Sequence, residues 1–409
     1  MLHWPKWRVW PTCPLVPRQR LWLSNAIAYN ATQHGFLPTY WKDSWDITTT
    51  TPDQYQTLLD EKQAKIEHDF ANFTTSSTGE AQSLPKLEVF ASEPEHFRLR
   101  AEFRIWHQDG RCFYAMFDPA DKRTPIEITD FPIASKLINH LMIEMRDAIH
   151  LPENDILMQR MFQMEFLTTL SGDALITMIY HKPLDDEWRA AAEKLQAQIG
   201  FPIIGRSRKQ KVVLERDYVI ETLNIDGKEY HYKQIEGGFT QPNGGMNQKM
   251  LSWAKELSRP LSGDLVELYC GNGNFSIALA EHYNKVMATE ISKTSVYAAQ
   301  DNIEKNGIDN LIIARLSSEE FVQALQGVRA FRRLEGIDLN AYEFTTTLVD
   351  PPRSGLDEES VKQTQGYDNI IYISCNPETL HNNLQEFTKT HDIKRFALFD
   401  QFPYTHHIE

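Results

Sequence analysis

The chain has 409 residues, of which 41% are hydrophobic and 24% charged, a balance typical of a soluble protein with room for two domains. Its formal net charge of −14 counts against a general nucleic-acid binder, although a local basic groove can still contact phosphates. No apolar run approaches the roughly 20 residues that span a bilayer. The four cysteines form no CxxC pair, which argues against a disulfide framework or a zinc or iron–sulfur site and favours a reducing cytoplasm; they are Cys13, Cys112, Cys270 and Cys375.

Residues 1–48 differ in composition from the rest of the chain. Prolines break any helix there, and no apolar core with a small-residue cleavage site indicates a signal peptide. The composition favours a disordered or wrongly included upstream segment over an aromatic and basic arm on a membrane surface. The segment contains six of the nine tryptophans, Trp4, Trp7, Trp10, Trp22, Trp41 and Trp45.

Residues 49–235 show the pattern of an α+β domain. Over 98–106, arginines alternate with apolar or small residues, which predicts a strand with one basic face exposed to water. The run 205–211 is a compact basic patch, although such a run is more often an ordinary solvated surface. The other predicted elements are helices over 51–72, 131–149 and 185–198 and paired strands over 163–168 and 175–180.

Residues 236–409 alternate strands with helices, which predicts a doubly wound, Rossmann-like α/β domain. Three of these strands end abruptly in turns rich in Gly, Pro or Asn, as parallel strands do where they meet a ligand crevice. The strands are predicted over 264–269, 285–290, 310–315, 345–349, 369–374 and 394–399.

A glycine turn and an acid together predict a nucleoside cofactor. Gly271 and Gly273 follow the first strand and let the backbone approach a ligand closely. Glu290 ends the next strand, where a carboxylate can accept both hydroxyls of a ribose. Because the dinucleotide spacing GxGxxG is missing, the pattern fits S-adenosylmethionine. Asp350, stiffened by Pro351 and Pro352, is predicted to lie beside the same crevice.

Cys375 is predicted to be a nucleophile. It follows an apolar strand and precedes Asn376-Pro377 at the start of a helix, where backbone donors favour a thiolate. Carbon 5 of uracil takes a methyl group only after a thiolate has added to carbon 6, and a base must then remove the carbon 5 proton. The tail offers His406, His407 and Glu409 as that base, and chemistry alone does not choose among them.

From about Pro52 to Glu409 the chain resembles the bacterial RNA uracil-5-methyltransferase family, the tRNA enzymes that make ribothymidine in the T-loop. The resemblance rests on Phe239-Thr-Gln-Pro-Asn243, Leu268-Tyr-Cys-Gly-Asn-Gly-Asn-Phe275, Asp350-Pro-Pro-Arg-Ser-Gly-Leu356, Ile373-Ser-Cys-Asn-Pro-Glu-Thr379 and Phe399-Asp-Gln-Phe-Pro-Tyr-Thr-His-His407.

The resemblance implies a role for each of these motifs. It implies that S-adenosylmethionine is held by Gln241, Tyr269, Asn274, Glu290 and Asp350. It implies that Cys375 is the nucleophile and Glu409 the proton-abstracting base, with no metal. It also makes the N-terminal α+β domain the tRNA-binding part, where Arg104 is the candidate for phosphate, Phe162 for base stacking and His181 for either. A monomer that binds the T-arm of tRNA, and other RNAs with similar loops, is expected.

The sequence departs from the family pattern at both ends. Residues 1–48 have no counterpart, and the family continues beyond the glutamate with a short apolar segment that forms the last, antiparallel strand of the sheet. We therefore expect exposed strand edges, a weakly stable protein and poor catalysis. An extended protein that gains neither melting temperature nor turnover would contradict this expectation.

Other functions predict different behaviour. A tRNA-binding folding factor with weak or lost methylation would still bind tRNA after Cys375→Ser. A small-molecule methyltransferase would remain active without residues 1–230. Ribosomal-RNA uracil methyltransferases typically carry a cysteine cluster, which this sequence lacks. RNA cytosine methyltransferases use two cysteines, but Cys270 lies inside the glycine turn and so cannot serve as the second one.

Overall fold

The computed structural model describes residues 50–71, 73–75, 82–118, 121–405 and 407–408. The predicted extension over 1–48 lies outside the described residues, as do His406 and Glu409 of the tail. Two sheets dominate the described part of the chain, and each covers one half of the sequence.

The helices are α1 Tyr55–Asp69, α2 Lys136–Ile149, α3 Asp155–Met158, α4 Asp186–Ile199, α5 Gly244–Ser258, α6 Asn274–Leu279, α7 Lys293–Lys305, α8 Ser318–Leu325, α9 Glu358–Thr364 and α10 Pro377–Phe387. The first nine strands are β1 Thr74–Thr75, β2 Gln82–Ser83, β3 Leu87–Phe90, β4 Arg100–Gln108, β5 Arg111–Asp118, β6 Asp121–Glu127, β7 Met161–Thr168, β8 Ala174–Tyr180 and β9 Ile203–Ser207. The other nine are β10 Gln210–Val213, β11 Tyr218–Ile225, β12 Lys228–Ile235, β13 Asp264–Leu268, β14 Val286–Thr289, β15 Leu311–Ala314, β16 Phe344–Val349, β17 Asn369–Tyr372 and β18 Phe396–Phe399.

The N-terminal sheet has seven strands in the order β10-β9-β8-β7-β4-β5-β6. Its pairs are antiparallel except β8 with β9. Helices α2 and α4 cover one face, where residues such as Phe103, Met164 and Trp188 are buried in a shared core. The opposite face of β4 is exposed at Glu102, Arg104 and Trp106, as the alternation predicted, but Arg98 and Arg100 of the predicted basic face are only partly exposed.

Local polar groups decide where the helices begin. The sequence predicted a helix over 131–149, but α2 starts five residues later, because the Ser135 side chain accepts the Ile138 N–H as an N-cap. The Asn139 side chain bonds the N–H and C=O of Phe131 and so fixes the preceding turn. Similarly, the predicted helix over 51–72 is a single 3-10 turn over 52–54 followed by α1.

The C-terminal sheet is parallel, with the strand order β15-β14-β13-β16-β17. The order reverses at β13, so that the crevice lies outside the carboxyl ends of β13 and β16. Strands β13 and β14 are buried along their whole length, as expected for a sheet covered on both faces. This mixed α/β architecture with a Rossmann-like parallel sheet confirms the predicted fold class.

The sixth predicted strand forms at β18 but lies outside the five-stranded sheet. It pairs in parallel with β3, from the N-terminal half of the chain, and its Leu398 is buried with α1 residues such as Leu59 and Ile66. A groove of about 690 Å³ is lined by residues of both β17 and β18. The sequence pattern predicted the strand, but its partner depends on contacts between residues about 300 positions apart, which no local pattern reports.

The hairpin β11–β12 was not predicted. Its strands pair over eight residues each, from Tyr218 with Ile235 to Ile225 with Lys228. Tyr230 and Tyr232 of β12 are buried in the core of the C-terminal sheet. The alternating tyrosines were the signal that could have revealed this strand.

Candidate functional site

The glycine turn after β13 has a backbone that brings main-chain atoms to the crevice. Gly271 and Gly273 have φ values of 56° and 84°, which glycine adopts without strain. Tyr269 has a φ of 64°, a conformation that is uncommon for a residue with a side chain and that is found at ligand sites. The Tyr269 hydroxyl forms a hydrogen bond with the Ser318 hydroxyl at 2.8 Å, which holds its ring at the crevice edge.

Glu290 is tied to this turn, one strand away. Its carboxylate accepts the Gly271 N–H at 3.0 Å and the Ser292 N–H at 2.6 Å. These two bonds fix the carboxylate beside the glycine turn. The arrangement fits a ligand with vicinal hydroxyls, because a carboxylate still has lone pairs for donors after accepting two bonds.

Asn274 and Gln241 are each held by one amide partner. Asn274 opens α6 and exchanges two hydrogen bonds, at 2.8 and 2.9 Å, with Asn247 on α5. Gln241 lies shortly before α5, and its side-chain oxygen accepts the Gln401 amide at 2.5 Å. Both Gln241 and Gln401 are buried. The sequence did not identify Asn247 and Gln401 as the partners of Asn274 and Gln241, because no local pattern links amide side chains that are distant in sequence.

Two carboxyl groups near the turn are unusually hard to ionise. Burial raises the pKa of Asp350 to about 7. Burial also raises the pKa of Glu267 to about 8, and the nearby charges of Asp350 and Glu290 add to the effect. One carboxyl oxygen of Glu267 has no hydrogen-bond partner among the described residues. Sequence reasoning missed Glu267, although an acid inside the apolar strand β13 was a visible signal.

Cys375 lies at the end of the neighbouring strand β17, half-buried. It directly precedes Asn376, whose side chain caps α10 by accepting the Glu378 N–H at 3.1 Å. Asn376 also donates to the carbonyl of Arg353 at 3.0 Å, and Ile373 N–H bonds the carbonyl of Val349 at 2.9 Å. These bonds place the cysteine turn against the loop that carries Asp350.

The chain's tail reaches the same loop. His407 Nδ1 lies 3.1 Å from the Arg353 guanidinium. Ile408 is buried among residues of α1, β3 and β18. The structure therefore brings together the Asp350 loop, the Cys375 turn and the tail, whereas the candidate bases His406 and Glu409 themselves lie outside the described residues.

The predicted RNA-contacting residues form one stack on the exposed face of the N-terminal sheet. The Arg104 guanidinium carbon lies 3.9 Å from the centroid of the Phe162 ring, and the His181 ring centroid lies 4.1 Å from it. Within the described residues no carboxylate pairs with Arg104. The β7 strand has a bulge at Phe162, which moves this side chain out of the regular ladder.

A second aromatic pair on this face was not predicted. Trp106 is 37% exposed, and its ring lies 5.7 Å from that of Phe117 at an edge-to-face angle of 64°. On the neighbouring strand β5, Phe113 lies opposite Trp106 and Ala115 lies opposite Arg104. Trp106 follows Arg104 by two residues, so both side chains leave the sheet on the same side.

Two of the four cations of the basic patch over 205–211 are paired with acids. The guanidinium of Arg206 makes two hydrogen bonds to Glu236, and the Lys211 ammonium lies 2.7 Å from Asp217. These acids follow the patch in sequence and fold back onto it. The patch is therefore a weaker candidate for phosphate binding than Arg104.

The described residues contain no group of three or more His, Cys, Asp and Glu side chains placed to hold a metal ion. They also contain no helix that is both long and apolar enough to cross a membrane.

Comparisons with known proteins identify the family and the fold. The family described as "tRNA (Uracil-5-)-methyltransferase" matches residues 54–409. A "tRNA/tmRNA (uracil-C(5))-methyltransferase" of Cellvibrio japonicus is 54% identical over 87% of this chain and 94% of its own length. The protein of the same description from Acinetobacter baylyi is 52% identical over 87% of this chain and 97% of its own. The crystal structure of Pyrococcus abyssi tRNA (uracil-54, C5)-methyltransferase with S-adenosyl-L-homocysteine has a TM-score of 0.62 at 19% identity, covering 87% of this chain and 82% of its own, and shows a shared fold.

Proposed function

Because this chain belongs to the tRNA (uracil-5-)-methyltransferase family, we propose that it methylates carbon 5 of a uridine in the T-loop of tRNA. The proposed target is the uridine at position 54, the position in the name of the Pyrococcus abyssi enzyme. The observation that carries the proposal is the meeting of the Cys375 turn with the Asp350 loop beside the Gly271 turn. We propose tmRNA, which the relatives' names give beside tRNA, as a second substrate.

S-adenosylmethionine supplies the methyl group and leaves as S-adenosylhomocysteine. The residues around the glycine turn fit it: Glu290 would accept hydrogen bonds from the ribose hydroxyls, and Tyr269, Asn274 and Gln241 would hold the rest of the cofactor. The positive charge of the cofactor would favour ionisation of Asp350 and Glu267, whose pKa values are raised by burial. These contacts bind and orient the methyl donor and leave the activation of uracil to other groups.

Cys375 activates the uracil ring. Its thiolate adds to carbon 6, so that the electron pair of the ring double bond reaches carbon 5, where the methyl group is taken up. The N-terminus of α10 favours the thiolate form. Glu409 then removes the carbon 5 proton, the electrons of that bond re-form the ring double bond, and the carbon 6–sulfur bond breaks to release Cys375.

The exposed sheet face binds the RNA. Arg104 contacts phosphate, and the rings of Phe162 and His181 stack on bases of the opened T-loop. An exposed guanidinium stacked on an aromatic ring offers both charge and a planar surface, which suits single-stranded RNA. A protein with net charge −14 can bind RNA by such a local surface.

A mass-spectrometric trap tests the proposal. The protein is incubated with S-adenosylmethionine and a T-arm RNA that contains 5-fluorouridine at the target position. Because fluorine cannot leave as a proton, a covalent adduct should accumulate that carries one methyl group and maps to Cys375. Cys375→Ser should give no adduct, whereas Cys112→Ser, which removes a buried thiol of β5 in the N-terminal sheet, serves as the matched control and should still give it.

Two results would contradict the proposal. An adduct that persists in Cys375→Ser would place the nucleophile elsewhere. Absence of an adduct in the wild-type protein, together with retained T-arm binding, would favour the RNA-folding activity over methylation.

A further inference from the structure

Lys62 is a charged residue of α1 that is almost completely buried, with 4% of its side chain exposed. Its partner Asp400 is 1% exposed and lies just after β18, at a distance of 2.6 Å between Nζ and Oδ1. Buried charges are rare in proteins and persist only where their hydrogen-bonding capacity is used. The contacts of this ammonium group therefore indicate what it does.

The ammonium of Lys62 donates to three oxygens, and all three belong to the tail. Besides Asp400, it bonds the carbonyl of Phe402 at 2.9 Å and the carbonyl of His407 at 3.3 Å. An ammonium group has three donors, so its capacity is fully used. One side chain thus fixes the start and the end of the segment 400–407.

Neighbouring contacts hold the same segment against the body of the protein. The Tyr404 hydroxyl donates to the carbonyl of Pro94 at 2.7 Å, and Tyr404 has a φ of 63°, so the turn has a specific shape. Ile408 is buried with Leu59 of α1. His407 faces Arg353, which lies in the loop next to the Cys375 turn.

We propose that Lys62 is a positioning residue for proton abstraction: it holds the described part of the tail, which directly precedes the proposed base Glu409 in sequence. This inference rests on the proposed function and adds a residue that touches neither substrate nor cofactor. The nucleophile Cys375 lies on a different element, so addition of the thiolate and methyl uptake do not require Lys62. Loss of Lys62 therefore slows the last chemical step selectively.

The test separates the two chemical steps. T-arm RNA carrying tritium at carbon 5 of the target uridine is mixed with excess protein and methyl-labelled S-adenosylmethionine in a single turnover. Appearance of the methyl label on RNA reports the early steps, and tritium release reports proton removal. The variant is Lys62→Met combined with Asp400→Asn, which removes both charges together and leaves no unpaired buried ion.

In the wild-type protein, we expect both signals to rise together. In the double variant, we expect methyl uptake within about threefold of the wild-type rate and tritium release slowed by about 100-fold, the scale of a misplaced catalytic group. A methylated covalent complex between RNA and Cys375 should accumulate, as it should in Glu409→Gln. Lys65→Met, on the same helix in an exposed ion pair with Asp69, is the matched control and should behave as wild type.

The outcomes are distinguishable. If methyl uptake and tritium release in the double variant both keep their wild-type rates, the positioning role is overturned. It is also overturned if both rates fall by the same factor, because that result indicates general damage to the protein. If the double variant does not fold, Lys62→Arg gives the same comparison, because a guanidinium keeps the charge but cannot reach the same three oxygens. If the wild-type protein forms no adduct with 5-fluorouridine RNA, the proposed function itself fails.

Discussion

Replacing Glu267 with glutamine should make the protein more stable, by an amount that grows with pH. Glu267 is 1% exposed, and burial raises its pKa from an ordinary 4.5 to about 8. One carboxyl oxygen has no hydrogen-bond partner within the described residues, so the charged form is poorly solvated. Glutamine keeps the shape of the side chain and carries no charge at any pH.

The sign and size follow from the pKa of the folded and unfolded states. Below pH 4.5 the carboxyl is protonated in both states and contributes no pH dependence. Between 4.5 and about 8 the unfolded chain loses the proton and the folded protein keeps it, so stability falls as pH rises. Because one pH unit corresponds to about 1.4 kcal/mol, the whole interval costs the wild-type protein at most about 5 kcal/mol.

Urea unfolding at pH 5 and pH 8.5 measures the effect. The free energy of unfolding of Glu267→Gln, minus that of the wild-type protein, should be larger at pH 8.5 by several kcal/mol. Glu304→Gln, which removes an exposed carboxylate on α7, is the control for the loss of a charge as such. A difference for Glu267→Gln that is the same at both pH values would refute the reasoning.

Three further predictions concern the binding surfaces and the nucleophile. Phe162→Ala should weaken binding of T-arm RNA in a fluorescence anisotropy titration by about 1–3 kcal/mol, because it removes a ring that we propose stacks on a base. We expect the same of Trp106→Ala, since Trp106 lies on the same face, and unchanged affinity would exclude that ring from the interface. Gly273→Ala should weaken binding of S-adenosylmethionine by calorimetry, since its φ of 84° strains any side chain and the new Cβ would lie 3.0 Å from Ile277. Asn376→Ala should destabilise the protein by about 0.5–2 kcal/mol, because α10 loses its N-cap. It should also slow alkylation of Cys375 by iodoacetamide, and an unchanged alkylation rate would contradict the positioning of the thiol by this turn.

Much of the C-terminal half could be predicted from local patterns, and the reason is physical. Parallel strands buried on both faces give continuous apolar runs, and each ends where a Gly, Pro or Asn turn feeds the crevice. All six strands predicted there exist, and the structure brings the turns after Leu268, Val349 and Tyr372 to one edge. The alternation of arginines likewise identified the exposed face of β4, because side chains of a strand alternate between its two faces.

The contacts between distant parts of the chain could not be predicted. The partner of β18 is β3, the partner of Asn274 is Asn247, and the partner of Lys62 is Asp400, separated by 338 positions. Propensity and periodicity describe a residue's own element and say nothing about which other element will pack against it. For the same reason the sequence did not reveal that Arg206 and Lys211 of the basic run pair with Glu236 and Asp217.

The buried carboxyls of the crevice lower the stability of the folded protein, and their position indicates a role in cofactor binding. A folded domain gains nothing by enclosing Glu267 and Asp350, whose pKa values burial raises to about 8 and about 7. Local rules that a sequence otherwise obeys are broken mainly at functional sites. A ligand with positive charge would favour the ionised carboxylates and offset that cost, and S-adenosylmethionine carries such charge on its sulfonium and ammonium groups. The acid inside an apolar strand is therefore better explained by the cofactor than by the fold.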